Sequence, residues 1–229
     1  MFMLVCAIHQ PNFFPWNGYF DKIKRADVFI FLDEVAYPKS GSGSGSWCNR
    51  VKLLNNNQPS WYGLPIKKES GIQYIKNVTF SDKAFHIKKL KKSLFFNYKN
   101  APYYEEVMAK IEPLLDFDTS SLAEYNINAV MGLSALLGLK TRFVRQSQLT
   151  HQEHSTALLI ELLKQVKAEA YLCGNGAGGY QEDELFSQAG IELIYQNYNA
   201  DKDQWLPIRH ESEAGLSLLH SLFYRGLAV

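Results

Sequence analysis

The stretch Ala7-Ile8-His9-Gln10-Pro11-Asn12-Phe13-Phe14-Pro15-Trp16-Asn17-Gly18-Tyr19-Phe20 decides the fold of this chain. Upstream, Met3 to Ile8 is an apolar run of strand-favouring residues, and downstream Tyr19 to Ala26 has helical spacing. The run Asp27-Val28-Phe29-Ile30-Phe31-Leu32-Asp33 then predicts a second strand, apolar enough to be buried on both faces. Strand, loop, helix and strand within about thirty residues make a βαβ unit, whose crossover is normally right-handed. In such units ligands gather outside the carboxyl ends of the strands. His9 and Gln10 follow the first strand and Asp33 and Glu34 end the second, so both pairs are expected at one crevice, with His9 and Asp33 side by side. Pro11 and Pro15 fix their own φ angles and bias Gln10 and Phe14 away from helix, which stiffens the loop. A lone histidine at a strand end is most often a satisfied structural residue. One crowded by Gln10, Asn12, Trp16, Asn17 and Tyr19 is a site candidate.

A chain of 229 residues is long enough to bury a substantial core and lies at the upper end of what one α/β domain needs, so residues 1 to 229 are expected to form a single domain. The 24 basic residues are balanced by 23 acidic ones, which excludes a global field for nucleic acid or an anionic membrane. Any anionic ligand must be met locally. Met1 to Cys6 is too short for a signal peptide and lacks a basic flank, and no run reaches the length of a membrane span. These features predict a cytoplasmic protein. Cys6, Cys48 and Cys173 are odd in number and widely spaced, which argues against a disulfide framework and a cysteine-rich zinc site. No spacing of His, Asp and Cys suggests a dedicated metal site. Asp33 and Glu34 could help hold a magnesium ion through a bound phosphate.

Further along, Pro38 to Ser46 is a Gly/Ser-rich run, either a spacer or a lid whose backbone N–H groups could meet an anion. Trp47 to Leu54 and Trp61 to Ile66 predict a hairpin, with Asn55 to Pro59 as its turn. Strand alternation would put Trp47 and Asn49 on one face and Cys48 and Arg50 on the other. Arg50 is the better anion contact, because its guanidinium offers a planar fork to phosphate or carboxylate. Residues 71 to 80 suggest another short strand. The basic run His86 to Lys92 keeps Ile87, Leu90, Leu94 and Phe95 at helical spacing and so leaves its lysines on a solvated face. Helices are expected over Tyr103 to Leu115 and Leu122 to Leu137, with Gly138 as a stop. The strand and helix alternation then returns, with strands at Thr141 to Arg145, Glu169 to Cys173 and Ile191 to Tyr195. Gly174, Asn175 and Gly176 open a Gly-rich turn directly after a strand, where backbone can approach a phosphate or sugar, although the spacing is not G-x-G-x-x-G. Near the C-terminus, Leu216, Leu219 and Leu222 make an apolar helical stripe, with His220 expected at the helix surface. Together these elements predict a mainly parallel sheet of Rossmann-like βαβ units flanked by helices, with a small β-hairpin insertion.

The pattern AIHQPNFFPWNGYFDKIKRADVFIFLDEVAYPKSGSGSGSWCNRVKLL resembles the opening of the WbqC-like family of bacterial proteins, found with genes for O-antigen and other surface polysaccharides. The likeness is strong over residues 3 to 66 and continues to the C-terminus through YLCGNGAGGY and GLSLLHSLF. The resemblance implies a setting in polysaccharide precursor synthesis rather than a particular reaction.

Within that setting one expectation is a transferase that places an acyl or aminoacyl group on a nucleotide-linked amino sugar, so its partners are the nucleotide sugar and an acyl donor. His9 would be the general base, with Asp33 beside it as the second catalytic residue. Lys39 and Arg50 would hold phosphates, and Gln10, Asn12, Asn49 and Asn175 would give directional hydrogen bonds. Trp16, Tyr19 and Trp47 offer ring faces, and Gly174 and Gly176 give close backbone. A second expectation is nucleotidyl transfer, since the N-terminal layout resembles class I nucleotidyltransferases. Their His-x-Gly-His is here Trp16-Asn17-Gly18-Tyr19, without either imidazole. A third is a non-catalytic sugar-nucleotide-binding protein, which needs the pocket but no base.

Overall fold

The computed structural model describes residues 3–38, 46–174, 181–198 and 215–227. Val5–His9 (β1), Val28–Phe31 (β2), Arg142–Arg145 (β5), Ala170–Cys173 (β6) and Glu192–Tyr195 (β7) form one sheet in the order β5-β2-β1-β6-β7. Every pairing in it is parallel. The apolar runs required this, because β2 and β6 are buried along their whole length and must be covered on both faces. The protein is therefore an α/β protein with a parallel sheet, flanking helices and a separate two-stranded hairpin.

The chain divides into two units. The first comprises Met1–Gln10, Phe20–Asp33 and Leu139–Tyr198 and holds the five-stranded sheet. Its helices are Ser155–Gln165 (α5) and Asp183–Gln188 (α6), together with most of Asn17–Arg25 (α1). Strand order reverses between β1 and β6, since the chain runs from β1 outward to β2 and β5, then returns to β6 and β7 on the other side. Register pairs Val5 with Ala170 and Ala7 with Leu172. The same step carried forward sets His9 opposite Gly174. In an open α/β sheet this reversal point, at the carboxyl ends of the strands, is where a crevice opens.

The second unit comprises Pro11–Tyr19, Glu34–Gly138 and Asn199–Val229. It contains the hairpin of Arg50–Asn55 (β3) and Gln58–Gly63 (β4), and the helices Lys83–Tyr98 (α2), Tyr104–Leu115 (α3), Leu122–Leu136 (α4) and Leu218–Arg225 (α7). The hairpin turn is tighter than expected, because Asn56 and Asn57 both take positive φ, at 50° and 60°, and close it in two residues. Gln58 and Pro59 thereby become strand. Residues 71–80 do not form a strand. Their N–H groups go to several segments, Ile75 to Val35 and Phe80 to Ser120, and Ile75–Asn77 curls into a 3₁₀ turn. Helix α2 buries Ile87, Leu90, Leu94 and Tyr98, so Tyr98 takes the place expected for Phe95, which is 45% exposed. His220 is not at a surface either. It is 3% exposed and lies between the rings of Tyr98 and Tyr224, because α7 is buried on nearly every side. No helix among the described residues is long and apolar enough to cross a membrane.

Candidate functional site

In the first unit, His9 ends β1 with its Nδ1 3.0 Å from the carbonyl oxygen of Gln10. A carbonyl only accepts, so Nδ1 carries the proton and the lone pair falls on Nε2. The backbone at this position is fixed too, as Leu32 N–H donates to the His9 carbonyl at 2.8 Å. Although part of His9 stays accessible, protein surrounds the ring. The loss of hydration, with the nearby Lys22 charge acting in the same direction, holds its pKa far below the ordinary value, at about 3. His9 is therefore neutral at physiological pH.

Lys22 is the residue that sequence reading missed. It occupies the i+3 position of the α1 stripe whose other members, Tyr19, Ile23 and Ala26, are all buried, and it is only 5% exposed itself. Burial pulls its pKa down to about 8, against the raising influence of Cys173 and Asp21. Its Nζ lies where a Cβ on Gly174 would meet it at 3.4 Å, so the ammonium stands against the end of β6. The signal was available. A lysine on an apolar helical stripe is buried by its neighbours whatever its own preference.

Asp33 is 2% exposed, and its two oxygens accept from the N–H of Ser147 at 3.0 Å and from its hydroxyl at 2.6 Å. Ser147 follows β5, on the side of β2 away from β1. The carboxylate is thus turned to the outer strand and, among the described residues, makes no hydrogen bond to His9. Glu34 ion-pairs with Lys76.

In the second unit the loop after β1 is held from several directions. Phe13 N–H donates to the Trp47 carbonyl at 2.9 Å, and Asn126 Nδ2 donates both to the Pro11 carbonyl at 2.9 Å and to the Cys48 carbonyl at 2.7 Å. Phe14 sits at φ 41°, outside the extended region expected before proline. Its carbonyl is secured by the Ser217 hydroxyl at 2.7 Å, and its ring, fully buried, meets Phe13 and Tyr125. Asn12 is 3% exposed, with Oδ1 3.8 Å from Cys48 Sγ. The Cys48 thiol is buried and pushed up to about 12, so it stays protonated and is no nucleophile in this state. Asn49 holds a turn, since its Oδ1 accepts from the Tyr37 hydroxyl at 2.6 Å and from Ser46 N–H at 2.9 Å, while Nδ2 donates to the Leu64 carbonyl at 2.9 Å.

Residues 47 to 49 form a turn and not the start of a strand, so the expected alternation does not govern them. Arg50 and Trp47 instead share Trp61. The guanidinium lies 4.2 Å from the Trp61 ring, and the two indoles meet edge to face at 4.7 Å. Trp16 covers Gly18, where a Cβ would come within 2.3 Å of the indole. Tyr19 is 2% exposed and offers no open face in this conformation. His9, Gln10, Asp33 and Gly174 thus belong to the first unit, and Asn12, Trp16, Tyr19, Trp47, Asn49 and Arg50 to the second. Lys39, Asn175 and Gly176 lie outside the described residues.

The sequence profile of the WbqC-like protein family matches residues 10–228, nearly the whole chain. The chain belongs to the WbqC-like protein family. This WbqC-like protein is also 26% identical to the uncharacterized protein Rv1507c of Mycobacterium tuberculosis, over 96% of its own length and 93% of that relative. No solved structure matches it.

Proposed function

We propose that this WbqC-like protein is an enzyme of surface-polysaccharide precursor biosynthesis that transfers an acyl or aminoacyl group to a nucleotide-linked amino sugar. The observation that carries this reading is His9, a neutral imidazole of fixed tautomer at the strand-order reversal of a parallel sheet. Nε2 would take the proton of the acceptor amine as its nitrogen bonds to the acyl carbon and the donor's leaving group departs. An imidazole with a pKa near 3 is a weak base, and the Lys22 cation is one cause of that weakness. A ligand anion that offset Lys22 would move His9 back toward the range where histidine is an effective base.

Incubation with nucleotide-linked amino sugars and activated acyl donors, read by mass spectrometry, tests the reading. The expected result is an acylated sugar nucleotide, with turnover lowered about 100-fold or more in His9→Gln. Undiminished turnover in that variant would remove the base, and absence of transfer with every pair would remove the transferase. Nucleotidyl transfer is the second reading. It is favoured by the strand order, which suits a mononucleotide, and weakened by Trp16 and Tyr19 where that chemistry uses histidines. Release of pyrophosphate from a nucleoside triphosphate would establish it instead.

A further inference from the structure

A buried ammonium normally has a carboxylate, a carbonyl or a hydroxyl within reach, because an uncompensated charge in protein surroundings is costly. Lys22 Nζ, among the described residues, makes no hydrogen bond and no ion pair, although the residue is only 5% exposed. Two groups close enough to act on it electrostatically do not serve. Asp21 offsets the ammonium only at a distance, since it makes no hydrogen bond or ion pair to it and its oxygen is taken by Arg25 Nη1 at 3.4 Å and Gln196 Nε2 at 2.9 Å. Cys173 carries a buried thiol whose pKa is raised by that burial, so it is protonated near neutral pH and brings no negative charge. His9 is neutral and does not compensate it either. What stands beside the ammonium is Gly174, where a Cβ would meet Nζ at 3.4 Å.

We infer that Lys22 is the receptor for an oxyanion of the ligand, bound at the carboxyl ends of β1 and β6 between His9 and Gly174. On the transferase reading, on which this rests for the identity of the ligand, that oxyanion is the pyrophosphate of the nucleotide-linked sugar. The arrangement fits a ligand charge better than a structural role. α1 would pack as well or better with an apolar side chain on its stripe, and no described group needs the ammonium for support. Lysine suits the task as a compact point charge with three donors. Occupation also couples the two residues. Neutralising Lys22 relieves one of the influences that suppress proton binding at His9, the smaller one beside the burial of the ring.

The test uses the whole chain with inorganic phosphate, pyrophosphate and acetate at matched ionic strength, read by calorimetry and by a lysine side-chain NMR titration. The Lys22 signal is assigned by its loss in Lys22→Met. Pyrophosphate is expected to bind the wild type more tightly than phosphate or acetate, to lose about tenfold or more of its affinity in Lys22→Met, and to move the Lys22 titration upward by about one unit or more. Tighter binding of acetate than of either phosphate would assign the site to a carboxylate and keep Lys22 as receptor. Equal affinity in Lys22→Met, an unmoved titration at saturating pyrophosphate, or no binding of any of the three would overturn the inference. If Lys22→Met fails to fold, Lys22→Gln supplies both the assignment and the affinity comparison. Pyrophosphate bound through Lys22 without transfer onto any nucleotide sugar would leave this inference standing and remove the transferase. Transfer undisturbed in Lys22→Met would remove this inference and leave the transferase.

Discussion

Two polar clusters in this protein are buried to a similar depth and treated in opposite ways. In the first unit Lys22 is enclosed without a hydrogen-bond partner among the described residues, and His9 is kept neutral by the same surroundings. In the second unit Asn49 and Asn126 are enclosed as fully, and their amides tie separate segments together, with Asn126 Oδ1 alone left without a hydrogen-bond partner among the described residues. The asparagines repay burial with bonds that hold loops, which is what a framework does. Burial of the lysine opposes its charge, and on the inference above a ligand anion is what would offset it. A buried polar group that stabilises is architecture, and one that destabilises is a candidate for function.

The difference can be broken first at His9. Its folded pKa, about 3, lies below the ordinary 6.5, so the unfolded chain binds the extra proton between those values. Stability contributed by the neutral ring is present above pH 6.5 and is lost as pH falls toward 3, a span on the order of 5 kcal/mol. Urea denaturation across that range should show the loss in the wild type and a flatter profile in His9→Gln. Identical acid limbs would mean that His9 is far better hydrated than its setting indicates.

Asn126 is next in size. Replacement by leucine would leave the Pro11 and Cys48 carbonyls buried without their donor, at a cost of about 3 kcal/mol in chemical denaturation. A neutral substitution would show that the loop is held by its aromatic packing alone. Lys22→Met should move stability the other way, upward by about 3 kcal/mol near neutral pH. Here the sign is that of a lowered lysine. Below its folded value of about 8 the wild type carries the full penalty; between there and the ordinary 10.5 the folded chain has lost the proton and the unfolded chain has not, so wild-type stability rises with pH. The gap to Lys22→Met should therefore close above pH 10.5, and a gap that persisted would trace to packing and not to charge. The smallest effect is expected at Trp61, which is 42% exposed: Trp61→Ala removes the surface on which Arg50 rests and should cost about 1 kcal/mol. A much larger loss would promote the Arg50–Trp61–Trp47 cluster from rim to core.

What the sequence determined by itself is the set of elements and the layers they form. Apolar runs at Met3 to Ile8 and Val28 to Phe31, followed by helical spacing, can be satisfied only by strands buried on both faces, and so by a parallel sheet. The basic run in α2 was legible for the same reason, since Ile87, Leu90 and Leu94 choose the buried face and the lysines take what is left. Those signals are carried by neighbours in the chain. The fate of a polar group is not, because it depends on partners that folding brings from far away. Asp33 finds Ser147 across 114 residues and so turns from His9, Asn126 finds Pro11 across 115, and Lys22 is brought up against Gly174 with no hydrogen bond among the described residues. Periodicity says which residues will be buried; only the tertiary structure decides which of the buried ones are satisfied, because hydrogen bonds require a partner within about 3 Å and apolar burial requires only the absence of water.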